Sequence, residues 1–220
     1  MPSSFCLIRH DVDRKPENAL NMAQLEHEFN IKSTYYFRTK SHVLVPDIIK
    51  EIEQLGHEIG YHYECLSDEN GDAKKAETNF AQNLSKLREC ASIKSISMHG
   101  RPLSKFDNRD MWKVENAKEV LQNKYEISGE IYLHIDYNDI AYIGDTGRNW
   151  HSDKSNKRDT VNSTINLNIK DGQELLELLE KKTPKKMVFQ IHPERWTDNN
   201  TEHFIQKMKD SAINLAKSFL

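Results

Sequence analysis

Three kinds of feature are missing or scarce in this chain of 220 residues, and each absence removes a class of protein. No apolar run comes near the roughly 20 residues that a bilayer-crossing helix needs, so no membrane span is expected. There is no excess of positive charge: 31 Lys and Arg stand against 34 Asp and Glu, a formal net charge of −3. That balance argues neither for nucleic acid nor for an anionic membrane surface as partner. Cysteine is sparse. Cys6, Cys65 and Cys90 are odd in number and far apart, which excludes a disulfide framework and reads as reduced, partly buried thiols of a cytoplasmic protein. A nucleophilic Cys65 beside His62 is a minor alternative. The opening stretch "MPSSFCLIRHDVD" lacks the basic region and apolar core of a secretory signal. No internal repeat, low-complexity segment or linker is seen. What remains, 37% hydrophobic and 30% charged residues, suits one domain over residues 1–220 that buries a core without staples.

The hydrophobic pattern alternates between two periods. A strand over Phe5–His10 is followed by a helix over roughly Glu17–Phe29, then the β-branched and aromatic strand "KSTYYFR" and the helix "VPDIIKEIEQLG", closed by a glycine. The strand "HEIGYHY", a polar helix over roughly Ala73–Cys90 and the strand "IKSISMHG" continue the alternation. Such a series predicts parallel strands with crossover helices, in a barrel or an open sheet. The second half is less regular. "YEISGEIYLHIDYNDIAYIGDTGRNW" reads as strands and turns without a helix, and "HSDKSNKRDTVNSTIN" as loop. "DGQELLELLEKK" is a helix, "KKMVFQIHPERW" a last buried strand, and "TEHFIQKMKDSAINLAKSFL" an amphipathic helix whose Phe204, Met208, Ile213 and Leu215 are expected to pack on the core.

In parallel α/β folds the chemistry sits at the C-terminal ends of the strands. The first strand delivers Asp11 and Asp13 there, the third His62 with Glu64 just beyond, and the fourth His99 followed by Arg101. The irregular middle delivers Asp145 and Trp150, and the last strand His192. Capping and turns explain any one of these residues. Several strands ending in His or Asp point instead to a divalent metal held by carboxylate and imidazole. A hydrolytic site of that kind needs ligands, a carboxylate to take a proton from water, and an acid on the opposite side. Strand alternation puts Asp11 and Asp13 on one face, so one can coordinate while the other acts as base. His192, from a distant strand, is a natural acid. His10 points away from Asp11, and His57 begins its strand far from the active face, so both read as structural.

"HDVD", "LGHEIGYH", "IHPERW" and, loosely, "DTGRNW" resemble motifs of the NodB-type polysaccharide deacetylases, carbohydrate esterase family four. "RHDVDRKPENAL", "GYHYE", "MHGRPLSKFDNRDMW" and "DTGRNW" more narrowly resemble the WbmS-like branch associated with lipopolysaccharide O-antigen biosynthesis. The resemblance implies a distorted (β/α) barrel of about seven parallel strands. It implies Asp11 as base, Asp13 and His62 as ligands of a divalent ion (zinc, with cobalt or nickel as alternatives) and His192 as general acid. Asp145 would support the acid, and Trp150 would border the acyl pocket, with Trp196 as a second candidate for substrate contact. One departure stands out. The family's second ligand histidine falls at Leu66, which cannot ligate. His99 is the preferred substitute, Glu64 the reserve, and Arg101 a candidate for the family's arginine that orients the base.

The expectation is therefore metal-dependent removal of an N-acetyl or related N-acyl group from an amino sugar of a glycan precursor in the cytoplasm. A catalytically inactive carbohydrate-binding relative and a barrel-type metal phosphoesterase are the alternatives. Specificity is expected from the loops Ser104–Lys113 and His151–Thr164; oligomeric state is not legible.

Overall fold

The computed structural model describes residues 2–101, 103–148, 150, 158–181 and 183–217, apart from the side chains of 147, 213, 214, 216 and 217. Ile213 as a core contact and residues 151–157 of the expected specificity loop therefore lie outside the described residues.

Seven parallel strands form one curled sheet: β1 (Phe5–Val12), β2 (Thr34–Phe37), β3 (Glu58–Tyr63), β4 (Ile93–Met98), β5 (Gly129–Glu130), β6 (Ala141–Gly144) and β7 (Lys186–Ile191). Their spatial order is β5-β4-β3-β2-β1-β7-β6. Read as a ring, that is chain order with one gap, between β5 and β6, so the sheet is a (β/α) barrel left open along one seam, as expected. Helices α1 (Pro16–Glu28), α2 (Pro46–Gln54), α3 (Cys65–Asp68), α4 (Ala73–Arg88), α5 (Ala117–Tyr125), α6 (Gly172–Lys181) and α7 (Asn200–Lys217) complete the chain. Proline at the first turn starts α1 and α2, and the Asp72 carboxylate caps α4 by accepting from the Lys75 N–H at 3.1 Å. The helix α5 had no expectation in the sequence, since its window carries only Ala117, Leu121 and Tyr125 as buried positions.

Alternation sorts each strand into two rows. The outward row (Tyr35, Phe37, Ile59, Tyr61, Tyr63, Ile96 and Met98) packs with Phe80, Leu84, Trp112 and Tyr125 into the main core beneath the helices. A second core joins Ile143, Met187 and Phe189 to Leu175 of α6. The inward row is polar and small: Arg9 and Asp11 on β1, Gly60 and His62 on β3, Ser95 and Ser97 on β4, Gln190 on β7. Gly60 answers a steric demand. A Cβ there would run into the Tyr36 ring, which crosses the barrel so that its hydroxyl meets Ser95 Oγ at 3.0 Å.

Three readings are corrected. Cys6 is exposed rather than partly buried. Cys65 is buried, burial pushes its thiol up to about 12, and its sulfur lies 3.2 Å from the Tyr61 hydroxyl, so it is a core residue and no nucleophile. On α7, Phe204, Met208 and Leu215 face outward, because the face toward the body is taken by Gln206 and Asp210.

Candidate active site

The C-terminal ends of β1, β3, β4 and β7 converge, and with them the side chains expected to act. Asp13, just past β1, places Oδ1 3.3 Å from His62 Nε2 and Oδ2 3.4 Å from His99 Nε2. These donor atoms all lie within 4.8 Å of one another, a group able to hold a metal ion. Both imidazoles are fixed from behind, as ligand histidines are. His62 Nδ1 donates to the Ser97 carbonyl at 3.0 Å, and His99 Nδ1 donates to Glu64 Oε2 at 3.2 Å, so each turns Nε2 toward Asp13. Glu64 is anchored in turn by Arg38, at 2.6 Å and 2.8 Å, and so stands behind His99 rather than beside the cavity. Leu66 enters the buried core from α3. His99 joins the cluster and Glu64 orients it.

Asp11 sits 3.9 Å from His62 Nε2 and is buried. Its Oδ2 accepts from Arg9 Nη2 at 2.6 Å and from Gln190 Nε2 at 2.7 Å, while Oδ1 has no hydrogen-bond partner among the described residues. Burial pushes its carboxyl up, but Arg9, His62 and His192 outweigh it and hold the pKa below the usual value. Asp13 follows the same pattern: burial opposes ionisation, His99 and His62 more than compensate, and its Oδ1 is likewise without a hydrogen bond. The Asp13 carboxylate facing two imidazole nitrogens, with a buried, unpartnered oxygen on the neighbouring Asp11, suits a divalent cation.

Opposite, His192 Nδ1 donates to Asp145 Oδ1 at 2.6 Å, which aims Nε2 toward Asp13 Oδ2 at 3.9 Å. Asp145 also accepts from Arg195 Nη1 at 2.9 Å, from Trp196 Nε1 at 3.0 Å and from the His192 backbone N–H at 3.1 Å. Burial and Arg195 work against a charged His192, yet the Asp145 carboxylate prevails and raises its pKa to about 9. The rings of Trp150 and Trp196 lie 6.0 Å apart, and both line a pocket of about 360 Å³ with Asp145, Arg148, Arg195 and His203.

Arg101 does not fit its expected role. It pairs with Asp68 at 2.5 Å and stays clear of Asp11, whose arginine is Arg9. Two residues before Asp11 on the same strand, Arg9 shares its face, so alternation could have found it; Gln190 stands in the same relation to His192. Arg195, inside "IHPERW", was visible only as part of a motif. His10 and His57 lie outside this cluster: His10 Nε2 donates to Glu26 at 2.7 Å, and His57 bonds Ser33 and the Ala23 carbonyl.

No family profile matches the sequence, and no curated protein does. Solved structures do. A CE4 family pseudoenzyme from Bacillus anthracis superposes with a TM-score of 0.51 at 10% identity, over 96% of this chain and 61% of that one. A variant of it with restored enzymatic activity gives 0.52 at 11%, over 96% and 64%. This chain thus spans less than two thirds of both. A family 4 carbohydrate esterase from Streptomyces lividans, in complex with acetate, gives 0.50 at 8%, over 99% and 91%. A point mutant of the peptidoglycan deacetylase PdaC from Bacillus subtilis gives 0.50 at 9%, over 98% and 84%. At such low identity the likeness is one of fold: a curled barrel of seven parallel strands, the NodB-type architecture of the CE4 deacetylases.

Proposed function

We propose that this chain is a metal-dependent carbohydrate deacetylase that hydrolyses the N-acetyl or related N-acyl amide of an amino sugar. The observation that carries this reading is the meeting of Asp13, His62 and His99 between a buried carboxylate, Asp11, and a carboxylate-bound imidazole, His192. Asp13 Oδ1, His62 Nε2 and His99 Nε2 would hold a divalent ion. Mixed oxygen and imidazole donors favour zinc, with cobalt and nickel accepted by the same set. Such an ion supplies a Lewis acid for the acyl oxygen and makes the attacking water more acidic.

The protein's own groups do the rest. Arg9 and Gln190 occupy Asp11 Oδ2 and leave Oδ1 to take the water's proton. Arg9 also keeps Asp11 ionised at neutral pH, as a base must be. His192, protonated with a pKa of about 9, gives its Nε2 proton to the departing amine while Asp145 holds the ring. Trp150 and Trp196 offer flat faces to a sugar at the neighbouring pocket. The motif resemblance favours an amino sugar of a lipopolysaccharide O-antigen, or a related glycan precursor handled in the cytoplasm.

Two measurements on the purified chain test the reading: metal content by elemental mass spectrometry, and acetate release from N-acetylated amino sugars after zinc, cobalt or nickel loading. Near-stoichiometric metal with release that disappears in Asp11→Asn supports it. Sugar binding without metal or turnover would instead make Leu66 the mark of a site that binds but does not react.

A further inference from the structure

We propose that the outer face of α7 is a docking surface for an anionic lipid bilayer, an inference independent of the chemistry above. The helix is amphipathic in the reverse of the usual sense. Its row toward the body is polar: Gln206 and Asp210 are 2% and 5% exposed, Glu202 accepts from Asn18 at 3.2 Å, and Asp210 binds Arg14 and Arg148. Its outward row is apolar: Phe204, Ile205 and Met208 are 64%, 47% and 57% exposed. At about 100° per residue, Phe204 and Met208 fall opposite Gln206 and Asp210, and Lys207 and Lys209 fall on the two margins of the apolar strip.

The charges are sorted as well. Both acids of the helix are turned inward and paired. Lys207 and Lys209 make no ion pair among the described residues, and neither does His203. An apolar strip edged by free ammonium groups on flexible stems is the arrangement of a helix lying in a membrane interface, where the lysines reach up to the headgroups. Charge also separates the bilayer from the other candidate occupant. Two copies meeting on this face would bring like-charged lysine margins together, whereas anionic headgroups neutralise them. The net charge of −3 does not oppose this, because the sorting is local.

Vesicle flotation with the full chain tests this, using phosphatidylcholine vesicles with and without about 30% phosphatidylglycerol. The expected result is flotation with the anionic vesicles only, lost at about 0.5 M NaCl. Binding should fall at least about tenfold in Lys207→Glu/Lys209→Glu and in Phe204→Glu/Met208→Glu. These positions are exposed, so unchanged circular dichroism and thermal midpoint would show that the variants fold. Failure of the parent chain to float overturns the proposal. So does light scattering that shows a dimer abolished by Met208→Glu, which would assign the face to a second copy. Deacetylase activity on soluble sugars should be the same in parent and Phe204→Glu/Met208→Glu, so failure here leaves the catalytic reading where it stands.

Discussion

At the scale of single residues, the site divides into groups that would touch substrate and groups that aim them. Asp11→Asn removes the proposed base and should lower kcat about 10²–10⁴-fold with metal content unchanged; equal loss of metal would move Asp11 into the ligand set. His99→Ala should strip the metal, while Glu64→Gln, which only loosens His99 from behind, should weaken metal affinity about 10–100-fold, as read by competitive chelation. The pH profile follows from His192. In the proposed role of general acid it works while protonated, so the rate should fall as pH rises through about 9. Asp145→Asn removes the charge that raises this pKa, so the alkaline limb should move toward neutrality. A limb that stays in place would show that some other group sets it. The site residues that could be read in the sequence, Asp11, Asp13, His62, His99, Asp145 and His192, are those at or just past strand ends. Gln190 and the role of Glu64 were hidden for a physical reason: each acts through a partner brought in by another strand, Asp11 of β1 and His99 after β4, and strand pairing is what a single sequence shows least. Arg101 was misplaced for the same reason, since its partner Asp68 belongs to a short helix that the pattern did not reveal.

At the scale of elements, the first half of the chain was legible because its strands and helices differ sharply in period. From β1 to β4 the boundaries agree within about two residues, the usual scatter of helix ends. In the second half α6, β7 and α7 lie where they were expected, but the stretch between β4 and α6 was not legible, because β5 has only 2 residues and α5 only three buried positions. Residues 131–140 instead cross the barrel's open seam, where Tyr132 and Tyr142 bring their hydroxyls within 3.4 Å. The element most sensitive to substitution is β3 at Gly60. Gly60→Ala forces the Tyr36 ring out of its path and should cost about 1–3 kcal/mol in chemical denaturation. A smaller effect would mean that the ring has room to swing aside. On the outer face, Phe80 meets the rings of Tyr61, Tyr63, Trp112 and Tyr125 at 5.0–5.9 Å, so Phe80→Ala should cost about 3–5 kcal/mol.

At the scale of the whole molecule, Asp210 ties distant parts of the chain together: Arg14 after β1 at 3.0 Å, Arg148 after β6 at 2.9 Å and Arg195 after β7 at 3.6 Å. Asp210→Asn should therefore lower the thermal midpoint and loosen Arg195 from Asp145. The loss should be at or below the about 3–5 kcal/mol of a fully buried pair, since Arg14 and Arg148 keep 26% and 19% exposure. An unchanged midpoint would show that water replaces the carboxylate without loss. The strand order carries a consequence of a different kind. β1 lies between β2 and β7, and its ladder to β7 runs from Phe5↔Lys186 to His10↔Ile191. One half of the central strand can therefore pair as soon as β2 is made, but the other waits until residues 186–191 of β7 are made. Closing so long a loop is slow. Asp11, with Gln190 and His192, would come together only at that step. A nascent chain still on the ribosome would hold most of its core yet have no working centre, and any chemistry would switch on only as folding ends.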